Sequence, residues 1–391
     1  MKSTFLYILL ILLTAVGLSA CTSTDEPDPD PGVKESRRTV MVYMLADNSL
    51  GSSDFDHLDL NEMQKGVVNG ALGENARLLV FHEAYLGATP VMKEITPEGI
   101  VVLKTYPSDI SGVEASTMHL ALDDMKALAP AASYGLVLWS HATGWIEDGI
   151  VESLPAADIP MPLSFGVSGR KKMNIRTLAS VLYGRDLDFL YFDCCYMMGI
   201  ETVYQLRDAA PVMAGSPTEL PSAGMPYDVT LPYFFREGAP DLEGAAKATF
   251  DYYNSLTSSS RTCTMSVIRT AGLPRLAEAT KAIYTLSKAG MPKNFTPQRY
   301  SAVSVSNCNY FDFAHYVRKL GEEHPDLLAD FDSALAATVS YEEATPYLWS
   351  AVELLHHSGL STYILPSYDD ASDRGYNTLD WWADAASALG E

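Results

Sequence analysis

Residues 187–197 read LDFLYFDCCYM and residues 136–145 read LVLWSHATGW, and together these two segments decide the fold. Each is a short apolar run that ends in reactive side chains. Runs of this length, rich in aromatic and aliphatic residues, are typical of strands that are buried on both faces. In open α/β sheets, functional sites form at the carboxyl ends of such strands. One strand would bring His141 to that edge and the other Cys195, which is the pairing that a thiol nucleophile requires.

The rest of the chain alternates between strand and helix patterns, which favours a mostly parallel sheet covered by helices on both faces. The predicted strands span residues 39–45, 76–82, 135–140, 189–194, 212–216, 264–268 and 360–366. The predicted helices span residues 115–128, 175–182, 201–207, 241–256, 273–288, 311–320 and 327–339. Residues 146–172 have little periodicity, and we expect a loop there, with or without a hairpin.

The N-terminal segment has the features of an export signal. An apolar stretch from Phe5 to Val16 is too short for a comfortable membrane span, and small residues precede Cys21. This resembles a bacterial lipoprotein signal, so residues 1–20 are predicted to be a signal peptide and Cys21 the lipidated first residue of the mature protein. An ordinary signal peptide with an incidental Cys21, or a short membrane anchor, are the alternatives. The prediction implies a lipid-anchored protein of the bacterial cell envelope, at the outer membrane or cell surface.

Residues 21–37 are acidic and rich in proline, and they are predicted to form an extended tether because they have nothing to bury. The whole chain has 391 residues, of which 27 are basic and 49 acidic, giving a formal net charge of −22. This charge argues against nucleic acid as a partner and favours cationic partners. The length suffices for one large domain or two moderate ones.

The five cysteines are too few for a disulfide framework in an exported chain of this length. There is no Cys-x-x-Cys motif, and the eight histidines show no metal-ligand spacing, so neither a metal nor another cofactor is expected.

The order of residues at the cysteine segment has chemical consequences. In a strand, Asp193 and Cys195 would share one face and Cys194 would point to the other. A nearby carboxylate raises the pKa of a thiol, so Asp193 is better suited to recognise a cation such as a Lys or Arg side chain. Two plainer interpretations stay open at this point. Both cysteines would serve as small buried apolar residues, and His141 as a strand-end histidine bonded to the backbone.

The two segments together resemble the clostripain family of cysteine peptidases, within the caspase-like group. The family pattern is Trp-x-His-Gly-x-Gly-Trp followed later by Asp-Ala-Cys-x-Met, and residues 139–145 and 193–197 are similar to it. The opening strand at residues 43–48, a substrate-binding loop at 219–227 and a closing strand at 359–363 also resemble family elements. The resemblance covers most of residues 38–385. It implies a caspase-like three-layer α/β/α sandwich, with a catalytic domain at 38–290 and a C-terminal extension at 291–391 packed on it.

By this resemblance Cys195 is the nucleophile and His141 the acid/base. The backbone N–H groups of Cys195 and of Ala142, which stands where the family has glycine, would form the oxyanion hole. Asp193 would bind the basic side chain of the residue before the scissile bond, the P1 residue. The implied activity is endopeptidase cleavage of protein or peptide substrates after Arg or Lys through an acyl-enzyme. The alternatives are a lipid-anchored binding protein with an inactive peptidase fold, and a transpeptidase.

The resemblance also assigns residues around the dyad. The substrate-binding loop would contribute Glu219, Gly224 and Tyr227. Family members are often cut between the histidine and the cysteine, which predicts self-cleavage at Arg170, Lys171 or Lys172, next to an expected exposed turn. Members differ in calcium dependence, and no Asp/Asn-rich loop here has calcium-loop spacing. A monomer is expected.

Overall fold

The computed structural model describes residues 35–146, 165–169, 171–301, 309–373 and 375–390. The predicted signal peptide, Cys21 and most of the tether lie outside these residues, as does Arg170. No helix within the described ranges is long and apolar enough to cross a membrane.

The strands, in chain order, are β1 (Arg38–Leu45), β2 (Ala76–Glu83), β3 (Val91–Thr96), β4 (Gly99–Thr105), β5 (Tyr134–Trp139), β6 (Phe165–Ser168), β7 (Lys171–Met173), β8 (Phe189–Asp193), β9 (Val212–Gly215), β10 (Thr264–Arg269), β11 (Phe311–Asp312), β12 (Val339–Ala344), β13 (Tyr347–Leu348), β14 (Val352–Glu353) and β15 (Ser361–Thr362). The helices are α1 (Ser49–Ser52), α2 (Phe55–Val68), α3 (Ala115–Leu128), α4 (Ile175–Leu182), α5 (Ile200–Gln205), α6 (Tyr227–Phe234), α7 (Leu242–Asn254), α8 (Leu273–Tyr284), α9 (Phe313–Leu320), α10 (Pro325–Thr338), α11 (Asp370–Asp373) and α12 (Asp380–Asp384).

The central strands form the middle layer of the molecule. Every residue of β1 is buried, and its side chains alternate between two separate cores. Met41 and Tyr43 pack into a core built with α3, α4, α5, α8, α9, α10 and α12. Val40 and Val42 pack into a second core built with α2, α6 and α7. This arrangement confirms the predicted three-layer α/β/α sandwich, and it explains why the strand sequences are continuously apolar.

The sheet order is β12-β10-β9-β8-β5-β1-β2-β3-β4. The five central strands from β9 to β2 run parallel, whereas β3, β4, β10 and β12 add to the two edges in antiparallel pairs. The sheet is therefore mixed, and its parallel part is the part that carries the two motif segments. Strand β12 follows residue 290, so residues on both sides of the predicted domain boundary build the same sheet.

Candidate active site

The two motif strands are neighbours. Strands β5 and β8 pair in parallel, and Trp139 lies opposite Asp193 at their last paired positions. His141 and Cys195 each follow two residues later, so the register brings them to the same edge of the sheet. This is the carboxyl edge, where the sequence predicted a site.

His141 is partly buried at the end of β5. Its Nε2 atom lies 2.7 Å from the hydroxyl oxygen of Ser49, and its carbonyl accepts a hydrogen bond from Gly166 N–H at 3.0 Å. Burial lowers the pKa of His141 below its ordinary value of 6.5. The ring is therefore neutral at neutral pH, with one nitrogen available as a proton acceptor.

Cys195 lies against the loop that follows β9. Its sulfur accepts a hydrogen bond from the Leu220 N–H at 3.4 Å. Burial, with smaller contributions from the charges of Glu219 and Asp193, raises the pKa of the thiol to about 12. The thiol is therefore protonated at neutral pH and requires a base to become a nucleophile. The neighbouring Cys194 is 3% exposed and belongs to the core formed with α3, α4 and α5.

The turn after Cys195 has an unusual backbone. Tyr196 has a φ of 59°, a conformation that residues other than glycine seldom adopt. Its N–H donates to the Thr218 carbonyl and its hydroxyl donates to Glu219, both at 2.9 Å. Its ring stacks on Tyr310 with 4.3 Å between centroids. These contacts stabilise the turn, and they give Glu219 a structural contact next to the nucleophile.

Asp193 is 5% exposed, and both of its carboxylate oxygens have protein partners. One accepts from Met225 N–H and the other from the Tyr227 hydroxyl, each at 2.9 Å. Gly224 has a φ of 62°, and a Cβ atom there would lie 2.9 Å from Asp193 Oδ1. Residues 219–227 therefore fit closely around this carboxyl group.

A second buried acid lies close to Asp193. Asp59 of α2 is fully buried and accepts a hydrogen bond from Trp139 Nε1, while its Oδ1 atom has no hydrogen-bond partner among the described residues. Burial raises the pKa values of Asp59 and Asp193, and the Asp193 charge raises that of Asp59 further. The two acids occupy the α2/α6/α7 side of the sheet, because Trp139 and Asp193 are register partners.

The oxyanion candidates have a suitable backbone. Ala142 does not have a positive φ, so alanine is accommodated where the family pattern has glycine. Within the described part of the chain, neither the Ala142 N–H nor the Cys195 N–H donates a backbone hydrogen bond outside the regular elements.

The structure gives the surroundings of Tyr227 and of two of the predicted self-cleavage residues. Tyr227 is fully buried, and its N–H donates to Glu62 at 3.0 Å. Its hydroxyl donates to Asp193, so Tyr227 supports that carboxyl group from within the protein. Lys171 and Lys172 lie in β7, paired with Ser168 and Val167, and Lys171 is exposed next to the turn at Gly169. Lys171 also forms an ion pair with Glu114 at 2.6 Å.

Sequence reasoning missed Ser49 and Asp59, and it placed Leu220 and Met225 in the substrate-binding loop without assigning their contacts to Cys195 and Asp193. Of these residues, only Asp59 could have been noticed in the sequence, because an acid on the inward face of a helix is unusual. In the described ranges, no three His, Cys, Asp or Glu side chains are grouped so that they could hold a metal ion.

The clostripain family model, Peptidase_C11, matches residues 42–372. An inactive zymogen of a C11 protease from Parabacteroides distasonis is similar in structure, with a TM-score of 0.76 and 27% identity, over 90% of this chain and 99% of that one. A secreted C11 cysteine protease from Bacteroides thetaiotaomicron, in complex with an irreversible peptide inhibitor, has a TM-score of 0.72 and 26% identity, over 89% of this chain and 98% of that one. No curated protein matches the chain.

The family match covers most of the chain and includes both motif segments, and the two solved proteases are matched over nearly their full lengths. The chain therefore belongs to the clostripain family, as the motif segments predicted, and it is a cysteine peptidase.

Proposed function

We propose that the protein is an endopeptidase that cleaves after Arg or Lys, with Cys195 as nucleophile and His141 as acid/base. The observation that carries the proposal is the β5–β8 register, which sets the histidine, the cysteine and Asp193 at one edge of the sheet. The neutral imidazole and the protonated thiol are the two forms that a base and its nucleophile need before reaction.

The chemistry follows from these groups. His141 takes the Cys195 proton as the sulfur attacks the substrate carbonyl, and the N–H groups of Cys195 and Ala142 hold the oxyanion. The C–N bond then breaks, and the proton passes from His141 to the leaving amine. Water, deprotonated by His141, attacks the acyl-enzyme and releases the carboxylate product. The free thiol and neutral histidine are restored.

Asp193 supplies specificity in this proposal. It is the carboxyl group two residues before the nucleophile, on the face that packs against residues 219–227. A P1 cation that reached this buried acid would stabilise its ionised form, because opposite charges attract more strongly away from water. Glu219, Gly224 and Tyr227 then act as the frame of the P1 pocket.

Localisation and processing are further parts of the proposal. One similar protease from Bacteroides thetaiotaomicron is described as secreted. That description supports export of this protein, whereas the proposed lipid on Cys21 rests on the sequence of residues 1–21 alone. Cleavage at Arg170, Lys171 or Lys172 would require the β6–β7 hairpin to open, because proteases bind extended and unpaired segments. Purified protein would then run as two fragments and the Cys195→Ala protein as one.

A peptide series tests the function. Four reporter peptides that differ only in P1 would carry Arg, Lys, citrulline or norleucine, where citrulline is the neutral isostere of Arg. We expect cleavage of the Arg and Lys peptides and a roughly tenfold to several thousandfold lower kcat/KM for citrulline. Equal rates for Arg and citrulline would refute the basic specificity. A protein that bound all four peptides and cleaved none would refute the enzymatic proposal.

A further inference from the structure

We propose that Ser49 is a positioning residue that orients the His141 ring and stabilises its protonated form during the reaction. The inference rests on the proposed role of His141 and adds a third member to the pair. A base in such a site works best when another group fixes its ring and chooses which nitrogen carries the proton.

The contact itself is close and specific. Ser49 Oγ lies 2.7 Å from His141 Nε2, within the range of a good hydrogen bond. A hydroxyl oxygen that accepts from Nε2–H leaves Nδ1 as the nitrogen that exchanges a proton with Cys195. The contact therefore occupies Nε2, and the hydroxyl oxygen accepts from this nitrogen whenever it carries a proton, as it does in the imidazolium form.

The residue before Ser49 fixes its position. The side-chain amide of Asn48 donates to the carbonyls of Leu45 at 2.8 Å and Val167 at 2.9 Å. Its oxygen accepts the Leu50 N–H at 2.9 Å, which caps α1. Asn48 is 9% exposed, so these bonds are largely shielded from water. They connect the end of β1 to the hairpin that also contacts His141.

Two further features hold α1 in place. The hydroxyl of Ser140, one residue before the histidine, donates to the Leu45 carbonyl at 2.9 Å and accepts the Val167 N–H at 3.1 Å. At Gly51, a Cβ atom would lie 2.0 Å from the carbonyl oxygen of Ala46, so only glycine allows α1 to pack this closely on the end of β1. The contacts of Ser140 hold the histidine side of the pair and the packing of Gly51 holds α1, so together they fix the distance between Ser49 and His141.

The electrostatics give the hydroxyl a function. Burial is the cause that lowers the pKa of His141, and no carboxylate in the described ranges forms an ion pair with this ring. The imidazolium that forms when Cys195 loses its proton is therefore stabilised by the dipoles of neighbouring polar groups and not by a carboxylate. A hydroxyl oxygen on Nε2–H stabilises the charged ring more than the neutral one.

Three variants test the proposal: Ser49→Ala, Ser49→Thr and, as the matched control, Ser53→Ala. Ser53 is an exposed serine just after α1. We expect Ser49→Ala to lower kcat roughly tenfold at unchanged KM. Its kcat–pH profile should shift to lower pH at the acid limb, because the imidazolium has lost a partner. Ser49→Thr keeps the oxygen and should restore both values, and Ser53→Ala should match the parent protein.

A Ser49→Ala enzyme with the parent kcat and pH profile would overturn the inference, as would equal losses in Ser49→Ala and Ser49→Thr. The proposed function is tested separately, by loss of activity in Cys195→Ala. An active Cys195→Ala enzyme would refute the assignment of the dyad. A Ser49→Ala enzyme with unchanged kcat and pH profile would refute only the role of Ser49.

Discussion

The histidine end and the cysteine end of the site differ in how they are surrounded. His141 is partly open, and its ring contacts the hydroxyl of the exposed Ser49. Asp193 and Cys195, in contrast, are both hydrogen-bonded by residues 220–227. Burial acts on all three groups and favours the neutral form of each, because it lowers the pKa of the histidine and raises those of the thiol and the carboxyl group.

This difference indicates how each end of the site becomes charged during the reaction. At the histidine end, the neutral ring of His141 can accept a proton directly. At the cysteine end, the buried carboxyl group of Asp193 needs a cation from outside the protein before it ionises fully. A substrate with a basic P1 residue would supply that cation. Selection for Arg or Lys and creation of the charged site would then be one event.

The largest expected effect separates the two adjacent cysteines. Cys195→Ala should abolish cleavage of an Arg reporter peptide, because it removes the thiol at the sheet edge. Cys194→Ala should keep most of the activity, because Cys194 is a buried member of the core formed with α3, α4 and α5. The loss of core contacts would lower the free energy of unfolding by about 1 kcal/mol. The opposite pattern of activity would reverse the assignment of the nucleophile.

The next effect concerns the buried acid at the cysteine end. Asp193→Asn keeps the shape and an acceptor for the Met225 N–H, but it removes the charge. We expect kcat/KM for Arg and Lys peptides to fall roughly tenfold to several thousandfold. Asp59→Asn is the matched control, since Asp59 is also buried and lies next to the same strand pair. If Asp59→Asn caused the larger loss, the P1 cation would have to bind at Asp59.

The third prediction concerns how closely residues 219–227 fit Asp193. Gly224→Ala would place a methyl group 2.9 Å from Asp193 Oδ1, in addition to the strain of a positive φ. Gly184 has a similar φ of 70° with nothing within 4 Å, so Gly184→Ala carries the strain alone. Both variants should lose about 1 kcal/mol of stability from strain. Only Gly224→Ala should also lose activity, by roughly tenfold. Equal activity in the two variants would show that this close fit has no catalytic importance.

The regular elements were predictable where the apolar pattern was strong. Helices α3 and α4 have the predicted boundaries, residues 115–128 and 175–182, and strands β5 and β8 agree within one residue. Helix α2 was missed because Asp56 and Asp59 face inward and interrupt its apolar stripe. Strands β3 and β4 were missed because they lie at an edge, where polar residues are tolerated.

Several predicted elements differ in extent. The helix expected at residues 273–288 ends at Tyr284, and the first two residues of the helix expected at 311–320 form β11 instead. The strand expected at residues 360–366 is reduced to Ser361–Thr362, which pairs with β11 outside the central sheet. The helix expected from residue 241 to 256 is slightly shorter, at Leu242–Asn254. Local apolarity predicts that a segment is buried, but it does not determine which partner a short strand finds.

For the candidate site, local sequence predicted that His141 and Cys195 lie at the same edge of the sheet, but it did not predict the residues that contact them. His141 and Cys195 each end an apolar strand, which is visible in a window of ten residues. Ser49, at the start of α1, and Leu220, in the loop after β9, are distant from His141 and Cys195 in sequence, and Leu220 contributes only a backbone N–H. No side-chain pattern reports a backbone donor, so the groups that set the pKa values at this edge become visible only in the fold.

The smallest predicted effect is a proton linkage at the cysteine end. Because burial raises the pKa of Asp193 above its ordinary value of 3.8, part of the free protein carries a proton on this carboxyl group at mildly acidic pH. A P1 cation favours the ionised form, so binding must release that proton. The affinity for an Arg peptide should then fall as pH drops through the raised pKa, by at most about tenfold per pH unit. Calorimetry on the Cys195→Ala protein, in buffers of different ionisation enthalpy, measures the proton count directly. Release should occur with the Arg peptide and vanish with citrulline or with an additional Asp193→Asn change. Equal proton release with Arg and citrulline would assign the proton to another group, and the contrast between the two ends of the site would lose its electrostatic basis.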